Sequence, residues 1–425
     1  MATTEVNRTI EAVWRIESAR LIAGLARLVR DVGLAEDLAQ EALVAALEQW
    51  PESGVPDNPG AWLMATGRHR AIDRLRRAEV RDRKTQELAR EIQLRGEAEN
   101  ADLEAEIDDP FDDDLLRLIF TTCHPVLSTD ARVALTLRLL GGLTTREIAS
   151  AYLVSESTVA QRIVRAKRTL SEARVPIEVP ARDELPDRLA SVLEVIYLIF
   201  NEGYAASAGD RWMRPELIEE ALRLGRILAG LLPAEPEVHG LVALMELHAS
   251  RSRARTGPSG EAILLLDQDR SRWDWLLVRR GLAALERAQS TGRALGPYTL
   301  QAAIAACHAR SRTAEETDWE RIVALYDALA ALTSSPVVEL NRAVAVGMAF
   351  GPAPALELVD ALGSEPALRE FHLLPTVRGD LLAKLGRPEE ARDEFARAAS
   401  LTQNSRERAV LLERMAGCSP HNGPA

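Results

Sequence analysis

Apolar residues recur at spacings of three and four along most of the chain, and Gly or Pro interrupts each run. The first clear run contains Leu21, Ile22, Leu25, Leu28 and Val29. This spacing places apolar side chains on one face of an α-helix. Long alternations of Val, Ile or Thr are missing, and Ala, Leu, Glu and Arg are abundant. We therefore expect an all-α fold.

Length and composition limit the class of protein. A chain of 425 residues can form several domains, each with its own core. No run of about eighteen apolar residues predicts a membrane span. The N-terminus lacks the basic start and apolar core of a signal peptide. Cys123, Cys307 and Cys418 are odd in number and far apart, so no disulfide framework is indicated. We expect a cytoplasmic protein that does not bind membranes.

Charge is distributed unevenly. The net charge of −12 argues against a general nucleic-acid coat protein. Residues 68–77, however, contain five Arg and one Asp, whereas residues 97–114 contain ten acids and no Lys or Arg. Local charge decides binding because salt screens charges over about 10 Å. The acidic stretch is interpreted as a solvated tether, or alternatively as a cover over the basic helices.

These shifts predict four segments. A helical domain spans 1–80, with helix ends expected at Gly33 and Pro51 and a third helix beginning near Ala61. An acidic linker occupies 81–114, helical at first, and a second set of helices occupies 115–174. After a Pro-rich break, residues 186–418 are expected to form a long helical domain.

The second set ends in a predicted helix-turn-helix. Thr144 and Glu147 have the spacing of a capping box, and Ser155 is expected to cap the next helix after a turn near Leu153–Val154. In this motif the second helix enters the DNA major groove. The residues expected on its outer side are Ser157, Thr158, Gln161, Arg162, Arg165 and Arg168. A solvated basic helix packed on a core is the alternative.

Two motifs give a resemblance to a known family. One is "EDLAQE" followed by "AWLMATGRHRAIDRLRR", and the other runs from Thr144 to Leu170 as "TTREIASAYLVSESTVAQRIVRAKRTL". The chain resembles the extracytoplasmic-function (ECF) sigma factors of RNA polymerase, within the sigma-70 family. The resemblance covers about residues 10–172. It implies a helical domain 2 and a helix-turn-helix domain 4, with core RNA polymerase and promoter DNA as partners.

The resemblance also implies residue roles. Core polymerase, through its β′ clamp helices, would contact Asp37, Gln40 and Glu41, with the β flap as a further contact of the chain. The −10 promoter element would contact Trp62, Arg68, His69, Arg70, Arg74, Arg76 and Arg77. The −35 element would contact the outer residues of the recognition helix. Two positions depart from the family pattern: His69 replaces a frequent Asn, and Ala160 replaces a frequent basic residue. A solvated acidic face and a core role for Trp62 are the alternatives.

The C-terminal region resembles the tetratricopeptide-like extension of a subset of these factors. "FGPAPALELVDAL" and "LGRPEEARDEFARA" align at an offset of 35, near the tetratricopeptide length. A ligand or partner groove is predicted from Asn201, Glu202, Asp267, Asp269, Arg270 and Trp273. The alternative is that the aromatic residues are core and the charges cap loops. No catalytic, metal or cofactor signature was found.

The favoured hypothesis is a non-enzymatic sigma factor that directs promoter-specific initiation, with a C-terminal domain that responds to a protein or small-molecule regulator. The main alternative is a conventional helix-turn-helix regulator with a ligand-sensing or dimerisation domain. A third hypothesis is a scaffold whose repeats bind a protein.

Overall fold

The structure is a computed structural model, and it describes residues 2–90, 111–152, 154–206, 212–257 and 263–418. It divides into a first unit, Met1–Val195, and a second unit, Ile196–Ala425. Every regular element in the described ranges is a helix, which confirms the all-α prediction. No helix in these ranges combines the length and apolar character that crossing a bilayer requires.

In its described residues the first unit contains seven helices and the start of an eighth. They are α1 (Ala2–Val29), α2 (Val32–Ser53), α3 (Pro59–Arg90), α4 (Phe111–Thr122), α5 (Thr129–Leu139), α6 (Thr145–Tyr152), α7 (Glu156–Glu172) and α8 (Leu185–Tyr204). Helices α1, α2 and α3 pack together, and α4 packs on α1. Leu25, Leu38 and Trp50 are almost fully buried. Apolar burial on this scale is the main stabilising contribution.

Two of the expected helix ends were wrong. α1 ends at Val29, and Gly33 lies inside α2. The chain reverses at Arg30, which has a left-handed φ of 55°, and Asp31 then caps α2 by accepting a 2.8 Å hydrogen bond from the Leu34 N–H. Pro51 also lies inside α2, which continues to Ser53. Proline is tolerated there because the helix has less than one turn left to run.

The predicted start of the third helix was close to the observed one. α3 begins at Pro59, two residues before the predicted Ala61, and the Asn58 side chain caps it by accepting a hydrogen bond from the Ala61 N–H at 3.0 Å. Residues 91–110 of the predicted acidic linker lie outside the described residues.

The predicted helix caps of the helix-turn-helix are confirmed. The Thr144 N–H donates to Glu147 Oε2 at 2.8 Å, and the Glu147 N–H donates to Thr144 Oγ1 at 3.2 Å. The Ser155 hydroxyl accepts from the Thr158 N–H at 3.1 Å. Leu153 lies outside the described residues, so the predicted turn is described only from Val154 onward.

The first turns of α8 pack on the first unit. Arg188 Nη2 donates to the Phe120 carbonyl at 2.9 Å, and Ser191 Oγ donates to the Cys123 carbonyl at 2.6 Å. Arg132 of α5 also reaches Glu194 at 3.0 Å. The four-segment division stays a prediction, but a chain cut at residue 174 would lose these contacts.

The second unit contains the remaining helices. They are α9 (Pro215–Leu231), α10 (Pro236–Ala249), α11 (Trp275–Ser290), α12 (Pro297–Arg310), α13 (Trp319–Thr333), α14 (Pro336–Phe350), α15 (Pro352–Ala361), α16 (Leu373–Lys384), α17 (Pro388–Leu401) and α18 (Ser405–Gly417). The described ranges also contain short 3₁₀ helices, at Ser252–Ala254, Leu265–Asp267, Arg270–Arg272, Leu362–Ser364 and Pro366–Leu368. From α12 to α18, each helix packs on the next.

The aligned glycines of the internal repeat occupy equivalent turns. Gly351 joins α14 to α15 with φ of 95°, and Gly386 lies between α16 and α17 with φ of 73°. Both values lie in the region that glycine adopts without a Cβ penalty. The offset of 35 residues therefore corresponds to a repeated helix–turn–helix.

Candidate polymerase and nucleic-acid interface

One face of α2 carries the residues predicted to bind core polymerase. Asp37 is exposed, and Gln40 and Glu41 are half-buried. Helical spacing places Val44 and Leu47 on the same stripe, and these two apolar side chains are 51% and 42% exposed. Sequence reasoning missed them, although their spacing from Asp37 and Glu41 was a usable signal. An exposed apolar pair with acidic neighbours is a surface suited to a protein partner.

Glu41 connects this stripe to the basic helix α3. Its two carboxylate oxygens lie 3.2 Å from Arg70 Nη1 and 3.2 Å from Arg74 Nη1. All three side chains are between about a third and a half exposed, so the pairs contribute little stability. The structure thus joins residues that were predicted to contact two different partners.

Trp62 lies where the α3 N-terminal half meets α2. Its ring packs edge-on against the buried Trp50 ring, with centroids 5.3 Å apart and planes at 70°. Trp62 itself is half-buried. One side of the indole is therefore held by the core and part of it reaches solvent. A rigidly held aromatic surface is suitable for stacking an unpaired base.

The rest of the predicted −10 surface is exposed along α3. Arg76 and Arg77 are exposed and Arg68 is half-buried, and in the described part of the chain none of them has an ion-pair partner. His69 is 82% exposed and lies 3.8 Å from Asp73. Guanidinium groups without counter-charges can neutralise DNA phosphates and release their counterions.

The recognition helix α7 has a buried side and an outer side. Val159, Ile163, Ala166 and Leu170 are buried. Gln161, Arg165 and Arg168 are exposed on the opposite side, as predicted from the spacing. Val164 is also exposed, at 64%, and sequence reasoning missed its outward position. An outward apolar side chain can contact a thymine methyl group in the major groove.

The predicted DNA-contacting side chains of α7 differ in whether they form ion pairs within the protein. Arg162 forms an ion pair with Asp130 of α5 at 2.8 Å, and Arg168 pairs with Glu172 at 2.6 Å. That partner raises the pKa of the Arg168 guanidinium. Gln161 and Arg165 have no side-chain partner among the residues that the structure describes.

The two small residues at the start of α7 serve its cap. The Ser155 hydroxyl lies 2.8 Å from the Ser157 hydroxyl and 2.7 Å from the Thr158 hydroxyl. Ser157 is exposed and Thr158 half-buried. Among the residues predicted to read the −35 element, Gln161 and Arg165 are therefore the side chains that remain most open to base edges.

Glu36 of the "EDLAQE" motif connects α2 with the helix-turn-helix. It is 4% exposed. Its carboxylate accepts from Arg138 Nε at 2.7 Å and from Gln40 Nε2 at 2.9 Å, and it contacts Lys167 of α7. A buried carboxylate is tolerated because cations on two helices neutralise it. Lys167 is thus turned toward α2 and away from the outer face of α7.

The side chains of the predicted C-terminal groove differ in exposure and in their contacts. Asn201, Asp267 and Asp269 are exposed. Asp269 caps a 3₁₀ helix by accepting from the Ser271 N–H at 2.9 Å, which lowers the pKa of its carboxyl. Glu202 contacts the buried Arg214.

Arg270 and Trp273 are brought together in the interior. They are 7% and 3% exposed, and the Arg270 Cζ atom lies 5.2 Å from the Trp273 ring centroid. Trp275, two residues on, is 44% exposed. The groove stays a prediction, and Arg270 and Trp273 pack against each other in the interior of the second unit.

The neighbouring Cys123 and His124 have separate environments. Cys123 is buried, and burial raises the pKa of its thiol. Burial also lowers the pKa of His124 to about 4, with Arg188 contributing. In the described ranges no three His, Cys, Asp or Glu side chains are grouped so as to hold a metal ion.

Comparison with known proteins places the basic helices α3 and α7 in two sigma-70 regions. Residues 16–81 match the family described as sigma-70 region 2, and residues 117–170 match sigma-70 region 4. Residues 188–289 match a family of unknown function, DUF6596. α2 and most of α3 fall in the first match, and most of the helices α4 to α7 fall in the second.

Relatives match over most of the chain or over about two fifths of it. An uncharacterized protein of Rhizobium meliloti is 44% identical over 398 residues, covering 92% of this chain and 91% of the relative. The probable RNA polymerase sigma-C factor of Mycobacterium bovis is 30% identical over 165 residues, 39% of this chain and 78% of the relative. The probable ECF RNA polymerase sigma factor SigI of Mycobacterium tuberculosis is 29% identical over 184 residues, 42% of this chain and 60% of the relative. With both sigma regions in order and these relatives, the chain belongs to the ECF sigma factors of the sigma-70 family.

Proposed function

We propose that the outer stripe of α2 docks on core RNA polymerase, that α3 reads and helps to open the −10 element, and that α7 reads the −35 element. The second unit regulates this activity in response to a ligand or partner. The observation that carries the proposal is the separation of each of α2 and α7 into a buried side and an outward side bearing the motif residues.

The docking step is supported by the chemistry of the α2 stripe. Asp37 is exposed and unpaired among the described residues, and Val44 and Leu47 expose apolar surface beside it. Apolar contacts supply the affinity of such an interface, and the acidic side chain selects a basic partner surface. The β′ clamp helices are the partner that the family resemblance suggests.

The DNA-reading steps are supported by the free donors on α3 and α7. Arg76 and Arg77 are exposed on α3, and Gln161 and Arg165 are exposed on α7; the first pair would neutralise phosphates and the second would contact base edges. A Gln can bond adenine and an Arg can bond guanine, each with two hydrogen bonds. Trp62, fixed against Trp50, offers a stacking surface for a base released from the duplex.

The docking step is tested by titrating core polymerase with V44D, which places a charge in the apolar part of the stripe. We expect affinity to fall by at least about tenfold, since burying an unpaired charge costs more than about 1.4 kcal/mol. V337D is the matched control, because Val337 of α14 is 39% exposed in the second unit. Equal affinities for both variants would remove α2 from the interface.

The whole activity is tested by run-off transcription with core polymerase and a library of genomic promoters. The full chain is compared with a chain ending after Tyr204, which keeps the contacts of Arg188 and Ser191. Circular dichroism first verifies that the shortened chain is folded. Promoter-specific transcripts from either chain support the initiation role, and their difference gives the sign of regulation. If neither chain yields transcripts or binds core polymerase, the proposed function is wrong.

A further inference from the structure

Among the described residues of the second unit four arginines are buried. One of them, Arg214, pairs with Glu202, and the other three are Arg251, Arg255 and Arg270. Arg251 and Arg255 are each 8% exposed, and Arg270 is 7% exposed. Buried guanidinium groups are normally paired with carboxylates, because an uncompensated charge in the interior costs several kcal/mol. In the part of the second unit that the structure describes, none of the three forms an ion pair with Asp or Glu.

Arg270 is satisfied by neutral oxygens. Its Nη1 donates to the His308 and Ser311 carbonyls, at 2.7 Å each, and its Nη2 donates to Thr317 Oγ1 at 3.2 Å. These three acceptors explain its burial as structural. The same explanation does not extend to the other two arginines.

Within the described part of the chain, the Arg251 side chain forms one hydrogen bond, from Nη2 to His248 Nδ1 at 2.9 Å. Its Nε is buried and has no hydrogen-bond partner. The guanidinium carbon lies 5.9 Å from the ring centroids of both Tyr204 and Trp273. An arginine has five N–H donors, so most of the donors of Arg251 have no acceptor among the residues that the structure describes.

Arg255 faces the same tyrosine. Its guanidinium carbon lies 3.7 Å from the Tyr204 ring centroid and 5.6 Å from the Trp212 ring centroid. Its Nη1 donates to the Tyr204 carbonyl. The rings contribute cation–π attraction, yet they accept no charge. Two guanidinium groups therefore lie near one aromatic ring, and no Asp or Glu among the described residues forms an ion pair with either of them.

Among the described residues, the titratable groups around the two arginines supply little negative charge. Burial lowers the pKa of His248 well below its usual value, and Arg251 and Arg255 lower it further. Among the described acids, Glu407 interacts electrostatically with Arg255. Its carboxylate also pairs with His372 at 3.2 Å and accepts a hydrogen bond from the Thr402 hydroxyl at 2.6 Å. Tyr204, Trp212 and His248, which border the two arginines, are half-buried.

We propose that Arg251 and Arg255 bind the phosphate group of a small molecule in the second unit. Two cations favour a group with nearly two negative charges, and a phosphate monoester carries about −1.5 to −2 at pH 7. The planar fork of each guanidinium matches two phosphate oxygens. The Tyr204 and Trp212 rings border the site and can cover the organic part of the ligand.

The proposed site goes beyond the sigma activity, because binding would stand even if the second unit had no effect on transcription. It also differs from the predicted groove, since neither arginine was among its residues. The test therefore measures binding directly, and its failure leaves the polymerase and promoter results untouched.

The experiment is calorimetric titration of the full chain with inorganic phosphate, ribose 5-phosphate and acetate. We expect saturable binding of the phosphate compounds, at least tenfold tighter than acetate. R251M and R255M should each weaken phosphate binding at least tenfold, whereas R253M, at an exposed arginine between them, should bind like the wild type. Tighter binding of ribose 5-phosphate would assign an organic phosphate, and equal constants would assign inorganic phosphate.

A second measurement covers variants that fail to fold. Phosphate should raise the unfolding temperature of the wild-type chain in a saturable way, whereas NaCl at equal ionic strength should not. R251K and R255K, which keep the charge but lose the fork, should show a reduced shift. No saturable heat with the wild type, a temperature shift that follows ionic strength alone, or equal binding by R251M and R253M would each overturn the proposal.

Discussion

The two units of this sigma factor use charged residues in opposite ways. In the first unit the predicted functional charges lie on outer helix faces, as Asp37 and Arg165 do. In the second unit many charged side chains lie inside, including Arg214, Glu246 and Arg270, which are 2%, 1% and 7% exposed. An exposed charge can meet a large partner at little desolvation cost, whereas a buried one acts on the fold or on a small enclosed ligand. The comparison indicates different classes of partner for the two units.

The largest effect tests the outer face of α7. Replacing Gln161 and Arg165 together with Ala removes two predicted base contacts of about 1–3 kcal/mol each. Initiation at the cognate promoter should fall by at least about 30-fold in run-off transcription, while core-polymerase affinity is kept. R397A, at an exposed arginine of the second unit, should transcribe normally. Normal transcription by the double variant would show that this face does not read DNA.

The next effect tests whether a buried charge in the second unit is structural. R270M leaves the His308 and Ser311 carbonyls and Thr317 without their donor. We expect the free energy of unfolding to fall by about 3 kcal/mol, measured by urea titration. R272M, at an exposed neighbour, should stay within about 0.5 kcal/mol. Similar values for the two variants would contradict the contrast between buried and exposed charge.

A smaller effect tests the pH dependence of the second unit. Burial lowers the pKa of His308 from 6.5 to about 4, with Arg251 and Arg270 contributing. Between about pH 6.5 and pH 4, His308 is protonated in the unfolded chain but stays neutral in the folded chain. Its contribution to the free energy of unfolding is therefore complete above pH 6.5 and is lost as the pH falls toward 4. The loss is at most about 1.4 kcal/mol per pH unit.

The pH prediction is checked by urea unfolding at pH 7 and pH 5. H308Q should reduce the decrease in the free energy of unfolding between these values, while His124 and His248, whose pKa values are also lowered, supply the rest of it. H69Q, at a histidine that is 82% exposed, should keep the wild-type decrease. If H308Q and wild type decrease equally, His308 is not the group that takes up the proton.

The smallest effect concerns the exposed pairs of the first unit. E41Q removes the partner of Arg70 and Arg74, whose nitrogens lie 3.2 Å away. Because the three side chains are about a third to a half exposed, the expected loss in the free energy of unfolding is only about 0.5 kcal/mol. Urea unfolding in 0.5 M NaCl should abolish the difference, since salt screens exposed pairs. A loss several times larger would place Glu41 among the structural charges.

Local signals in the sequence predicted local structure well. The Thr144–Glu147 capping box and the Ser155 cap were predicted because their partners lie three residues away. The outward side of α7 followed from the period of the helix. Gly33 was wrong as a helix end because the chain uses Arg30 for the left-handed turn. A glycine adopts the left-handed conformation at little energetic cost, but its presence does not mean that the chain adopts that conformation there.

Long-range contacts could not be predicted in this way. Glu36 pairs with Arg138, 102 residues away, and with Lys167. Both cations were visible in the sequence, but no periodicity indicates which helix they face. The exposed positions of Val44 and Leu47 were similarly hidden, because an apolar residue at helical spacing fits the core and an interface equally well.

The sequence by itself determined the helical class, the helix caps and the two motifs that place the chain among the sigma factors. Each depends on residues within one or two helical turns of one another. Only the tertiary structure decided which charges are paired, exposed or buried alone. Arg255 and Tyr204 are 51 residues apart in the chain yet in contact. Burial and charge compensation arise from such packing between distant segments, and no local pattern in the sequence encodes them.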